Sequence, residues 1–191
     1  MRRRIAVLAE PGVYDAWGAA TLLGATVRLP AHNVGDLARA AVRSGSAWGR
    51  RFTGHMQAGE LIPEEVLAEF VADTLDRSPV GWVLFGHPRT VRHAELLAAH
   101  GHAPDTVIQV TFDEDRIDRD WRLTARRAEL PHLLAEHRLH TAALRAFYRN
   151  VDAFHAVPQH GSVEELAADL QAVVTRPVIR GTSPEPHPRP T

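Results

Sequence analysis

The chain has no cysteine, so disulfides and thiolate metal sites are excluded. It has no lysine either. All 22 of its Lys/Arg positions are arginine, a bias whose plain source is codon usage in a GC-rich genome. Whatever the source, no mechanism that needs an ε-ammonium is open to this chain. Aromatic residues are sparse, at 6%. Long apolar runs are missing too. After Met1-Arg2-Arg3-Arg4 the hydrophobic stretch extends only from Ile5 to Ala9, too short for a signal peptide or a membrane span. A cytoplasmic protein with no membrane partner is expected. The formal net charge is -1, so no overall basic field points to nucleic acid.

What is present suits a globular chain: 191 residues, 45% hydrophobic and 24% charged. Residues 1–180 are expected to form one domain, followed by a tail over 181–191 that holds four prolines. Short β-branched or apolar runs predict strands at Arg4–Ala9, Thr26–Leu29, Gly81–Phe85, Thr106–Phe112 and Phe154–Val157. Helical patterns fall between them: 13–25, 35–44, 46–58, 63–77, 90–100, 115–127, 130–150 and 162–175. Pro63-Glu64-Glu65 is a helix start, with proline and acids in the first turn. Ser162 and Glu165 form a capping box. Strands alternating with helices predict an α/β fold, with a mostly parallel sheet covered on both faces.

Three segments carry a family resemblance. Gly35-Asp36-Leu37-Ala38-Arg39-Ala40-Ala41-Val42, with Met56-Gln57-Ala58-Gly59-Glu60-Leu61-Ile62-Pro63-Glu64-Glu65-Val66, resembles the monophosphate-binding region of adenylate kinases. Gly81-Trp82-Val83-Leu84-Phe85-Gly86-His87-Pro88-Arg89-Thr90 resembles that family's strand-turn segment. His140 to Tyr148 and Gly161 to Glu165 are similar to its last helices. The resemblance implies a three-layer P-loop-kinase-type fold with a five-stranded parallel sheet. Residues 33–64 would form the monophosphate-binding helical subregion.

The departures bear on function. Family members carry a phosphate-cradling loop, G-x-P-G-x-G-K-G-T. Its glycines let backbone N–H groups wrap the phosphates, its lysine neutralises them, and its hydroxyl holds Mg²⁺. Here the stretch is Ala9-Glu10-Pro11-Gly12-Val13-Tyr14-Asp15-Ala16-Trp17. Asp15 stands at the lysine position and Trp17 at the hydroxyl position. Opposite charges at roughly 4 Å attract by about 4 kcal/mol at an effective dielectric of about 20, so a carboxylate in place of an ammonium reverses a term of that size. Phe85 stands where the family places an Asp that helps hold the Mg²⁺ water shell. The lid that follows Arg126-Arg127 in the family is shortened near 126–131. By resemblance, Arg39 and Arg89 grip the monophosphate, Asp36 and Gly86 shape that pocket, and Arg126 survives from the lid side.

By the same resemblance, His87 and His93 stand where the family recognises the base. With Asp15 they are the candidates for proton transfer, because imidazole titrates near neutrality; the plainer reading is that both histidines merely hydrogen-bond. Tyr14, Trp17, Trp48 and Phe85 are expected to gather around the former phosphate region, either lining a ligand cavity or plugging it. His132, Glu136 and His140 share a helix spacing, but a solvated face is the simpler account, and no metal or cofactor is expected. Three functions stay open. One is an enzyme that cannot perform ordinary ATP-dependent phosphoryl transfer and is repurposed for elimination, cyclisation or hydrolysis of an anionic small molecule. Another is a pseudokinase that senses a nucleoside monophosphate. The third is an interaction protein with a filled cleft.

Overall fold

A computed structural model describes residues 3–57, 62–116, 127–159 and 161–175. Arg126, with the rest of 117–126, and the tail over 181–191 lie outside them.

The strands are β1 (Arg3–Ala9), β2 (Ala31–Asn33), β3 (Gly81–Phe85), β4 (Thr106–Thr111) and β5 (Phe154–Pro158). They form one parallel sheet in the order β2-β3-β1-β4-β5, with Val7 of β1 level with Phe85 and Ile108. The helices are α1 (Ala16–Val27), α2 (Val34–Arg43), α3 (Ala47–Gln57), α4 (Glu64–Leu75), α5 (Val91–Ala99), α6 (Leu130–His140), α7 (Ala142–Asn150) and α8 (Val163–Thr175).

Strand periodicity sorts the core. Ile5, Val7, Ile108 and Val110 pack with Ala19, Leu23, Leu166 and Leu170, so α1 and α8 cover one face. Ala6 and Val107 pack with Ala94, Leu144 and Tyr148, so α5 and α7 cover the other. Strands buried on both faces are apolar at consecutive positions, which is why β1 and β3 are legible as continuous runs. Trp48, Phe52, Phe70 and Trp82 anchor a further cluster that ties α3 and α4 to β3. The loops after β1 and β3 lead to opposite faces of the sheet. Such a divergence leaves a crevice at the carboxyl ends of the strands, where ligands bind in folds of this type.

Several expected boundaries need correction. The strand expected at Thr26–Leu29 is instead the end of α1. The Thr26 hydroxyl donates to the Leu22 carbonyl, Arg28 turns left-handed at φ 57, and its N–H closes the helix on Ala25. The strand follows Pro30, where Ala31–Asn33 pairs with β3. The first helix starts at Ala16 rather than Val13, because Val13 donates its N–H to the Glu10 carbonyl in a turn. The single helix expected over 130–150 is two, broken at Thr141, whose N–H and hydroxyl both donate to the His137 carbonyl. Of the helix expected over 115–127, a short 3-10 turn at Glu114–Arg116 is described; most of the remainder lies outside the described residues.

Candidate ligand-binding site

Two cavities open beside the strand ends. One, of about 490 Å³, is bounded by Leu8 and Ala9 of β1, Phe85 of β3 and Gln109 of β4, with Glu10 from the loop and His137, His140 and Thr141 from the α6–α7 corner. The other, of about 500 Å³, lies against α2 and α3 and is lined by Gly35, Ala38, Arg39, Val42, Phe52 and Ile62 among others. Arg89 lines both. Each volume falls in the range of small-molecule sites, roughly 300–1,000 Å³.

The α2 cavity is lined by Arg39 and Arg89, the two arginines expected to take an anion. Asn33 caps α2, its side-chain oxygen accepting the Asp36 N–H. One turn on, Arg39 donates to the Asp36 carboxylate at 2.6 Å, an exposed pair. Arg89 is held from below, its Nε–H donating to the Gly86 carbonyl at 2.9 Å. Gly86 takes φ 79, a left-handed value that glycine adopts without strain. Arg39 and Arg43 from α2 and Arg89 from the loop after β3 therefore line one cavity, an arrangement suited to an oxyanion.

The loop after β1 is organised around a carboxylate. Glu10 is 3% exposed and accepts the Phe112 N–H at 3.0 Å. Arg138 of α6 donates to it twice, Nε–H to Oε1 and Nη2–H to Oε2, each at 3.0 Å. The same guanidinium also donates to Glu114. Burial pushes the Glu10 carboxyl up, but the Arg138 and Phe112 donors outweigh it and hold it below its ordinary range. Arg138 is raised by its bonds to Glu10, against burial, and further by Glu114. Glu10 is thus an anion at neutral pH, fixed in the loop that resembles a phosphate cradle. No sequence signal joins Glu10 to Arg138, because 128 positions separate them.

The proton-transfer candidates are not assembled in either cavity. His87 is fully buried, and its ring lies 4.5 Å from that of His93. Burial lowers its pKa to about 3, helped by His93 and Arg89, so it is neutral at physiological pH. His93 is also buried. Its Nδ1 accepts the Arg89 N–H at 3.4 Å, which puts the ring proton on Nε2, facing Glu64 at 3.6 Å. Burial lowers its pKa and Glu64 opposes this. Both imidazoles sit under the β3–α5 turn and line neither cavity. Asp15 sits at the start of α1 in the left-handed region, φ 61, and is likewise absent from both linings.

The four aromatics do not gather as one group. Trp17 pairs with Phe85 at 5.8 Å, and of the four Phe85 alone lines either of the two cavities. Tyr14 exchanges backbone hydrogen bonds with the Gln159 carboxamide at the sheet edge. Trp48 stands apart in the α3–α4 cluster, 5.6 Å from Phe70, its indole N–H donating to Asp73. The reason is apolar: Trp48 completes the cover over Phe52 and Phe70.

Sequence reasoning missed Glu10, Arg138, Gln109 and His137. Gln109 had a faint signal, as the one polar residue within the apolar run of β4. It is 1% exposed and neither carboxamide atom has a partner. Leaving a buried polar group unpaired costs about 1–3 kcal/mol. No group of metal-ligating side chains is found among the described residues, and His132 and Glu136 lie on an exposed face of α6.

The sheet order and the crevice at its strand ends define an α/β protein of the P-loop kinase fold. The family model described as Adenylate kinase matches residues 17–172. The chain is 31% identical over 163 residues to an adenylate kinase of Caulobacter vibrioides, covering 78% of this chain and 85% of the relative. It is 30% identical over 164 residues to adenylate kinase 1 of Synechocystis, covering 80% and 87%. To an adenylate kinase of Thermobifida fusca it is 28% identical over 177 residues, covering 85% and 93%. The chain belongs to the adenylate kinase family. No described helix is long and apolar enough to cross a membrane.

Proposed function

We propose that this family member binds a nucleoside monophosphate in the α2 cavity, between Arg39 and Arg89, and does not carry out ordinary phosphoryl transfer from ATP. The observation that carries this reading is the buried Glu10 carboxylate in the loop after β1, held as an anion by Arg138. A cradle for a triphosphate needs positive potential from lysine and backbone N–H groups. Here no lysine exists anywhere in the chain, Glu10 and Asp15 add negative charge, and Arg138 is engaged by two carboxylates. The monophosphate half keeps its two arginines.

Repurposing for acid–base chemistry through His87, His93 and Asp15 is the weaker reading, since none of the three lines either of these two cavities. A filled cleft is weaker still, because two cavities of about 500 Å³ are open. The test is thermal unfolding with AMP and with ATP-Mg²⁺, joined to a coupled assay for ADP. A shift with AMP, none with ATP-Mg²⁺ and no ADP formation is the expected result. ADP production from ATP and AMP above a mock purification would overturn the proposal.

A further inference from the structure

Gln109 is out of keeping with its strand. Val107, Ile108 and Val110 around it are fully buried and apolar. By strand alternation Gln109 shares the face of Val107, the one covered by α5 and α7. There it lines the cavity of about 490 Å³, and both atoms of its carboxamide lack a partner. His137 lines the same cavity from α6, and its Nε2 is also buried and unpartnered. Burial pushes the His137 imidazole below its ordinary range, so it faces a ligand uncharged. Leu8, Val13, Phe85 and Leu144 supply apolar wall.

We propose that this cavity is a second ligand site, taking a neutral ring-sized molecule through an amide-like edge. A carboxamide presents one donor and one acceptor side by side. A lactam, imide or carboxamide edge complements both at once and gives the orphaned groups the partners they lack. His137 adds a further polar contact, and the apolar wall covers the body of the ring. The ligand is neutral because Glu10 borders the cavity as an anion, Arg138 is already engaged by Glu10 and Glu114, and Arg89 is the one arginine among the lining residues. A phosphate chain would meet as much repulsion as attraction. The site stands independently of the monophosphate reading: the two cavities share Arg89, and Arg39 lines the other alone.

The experiment is isothermal titration of the full chain with nicotinamide, uracil and caprolactam, with inorganic phosphate as the charged control. Binding of at least one neutral probe is expected, weakened tenfold or more in Gln109→Leu and unchanged in Arg39→Ala. Gln109→Leu removes an unpaired buried amide, so its thermal unfolding should lie at or above that of the parent; Gln109→Met serves if Leu does not fold. The proposal is overturned if no neutral probe binds, if the Gln109 variants bind as well as the parent, or if Arg39→Ala abolishes the signal and so moves the probe to the α2 cavity. Failure of AMP to bind would count against the monophosphate reading alone.

Discussion

Glu10 and Arg138 are joined by two hydrogen bonds of 3.0 Å that fasten the loop after β1 to helix α6. The carboxylate is almost wholly buried and the guanidinium is 34% exposed. Removing one partner of such a pair strands the other charge, which costs about 3–5 kcal/mol. Arg138→Met should therefore lower stability by about 3 kcal/mol in urea unfolding, the low end because the arginine is partly solvated. Glu10→Gln combined with Arg138→Met should recover part of that loss. A loss in the double variant equal to the sum of the two single-variant losses would mean that the pair is not coupled.

The buried histidines make acid stability steep. Folded His87 has a pKa of about 3 against an ordinary 6.5, so the unfolded chain binds a proton that the native state refuses. Stability is then full above pH 6.5 and is lost progressively as pH falls toward 3. The slope from one such group approaches about 1.4 kcal/mol per pH unit. His32, His93 and His137 are lowered in the same sense, each chiefly by burial. Glu10, depressed below the carboxylate range, adds a further loss at lower pH. His87→Phe should flatten the pH–stability curve between pH 6 and 4 by up to about one group's slope. An unchanged curve would show that His87 is accessible to protons in the fold.

Arg39 separates binding from stability. Its pair with Asp36 is exposed on both sides, 63% and 56%, and such pairs contribute about 0–1 kcal/mol. Arg39→Ala should leave unfolding nearly unchanged while weakening AMP by about tenfold or more, the effect of losing a charged hydrogen bond. Trp48→Phe, which removes the indole donor to Asp73, should do the reverse: about 1 kcal/mol of stability lost and AMP affinity kept.

Gly49 sets the approach of α3 to α2. A Cβ at this position would lie 1.9 Å from the Ala41 carbonyl oxygen, which belongs to backbone and cannot swing aside. Gly49→Ala should cost at least about 2 kcal/mol and widen the α2 cavity. Wild-type stability in that variant would mean that α2 and α3 are not in backbone contact at Gly49.

Much of the frame was legible in the chain itself. Continuous apolar runs placed β1, β3 and β4, because strands covered on both faces need no polar alternation. Pro63-Glu64-Glu65 and Ser162-x-x-Glu165 marked helix starts, because they satisfy backbone N–H groups locally. The arginine pair of the α2 cavity was visible by resemblance, and the absence of lysine by itself limits the chemistry open to the chain. What lies between distant segments was not legible. Glu10 meets Arg138 across 128 positions, Trp48 joins Phe52 and Phe70 rather than Trp17, His87 turns inward against His93, and Gln109 is left unpaired beside a cavity. Local spacing determines which hydrogen bonds a segment can make with itself. Which charges are neutralised, which imidazoles lose their water and which amides are left without a partner depend on burial between segments, and that is decided only when the sheet and its helices close on one another.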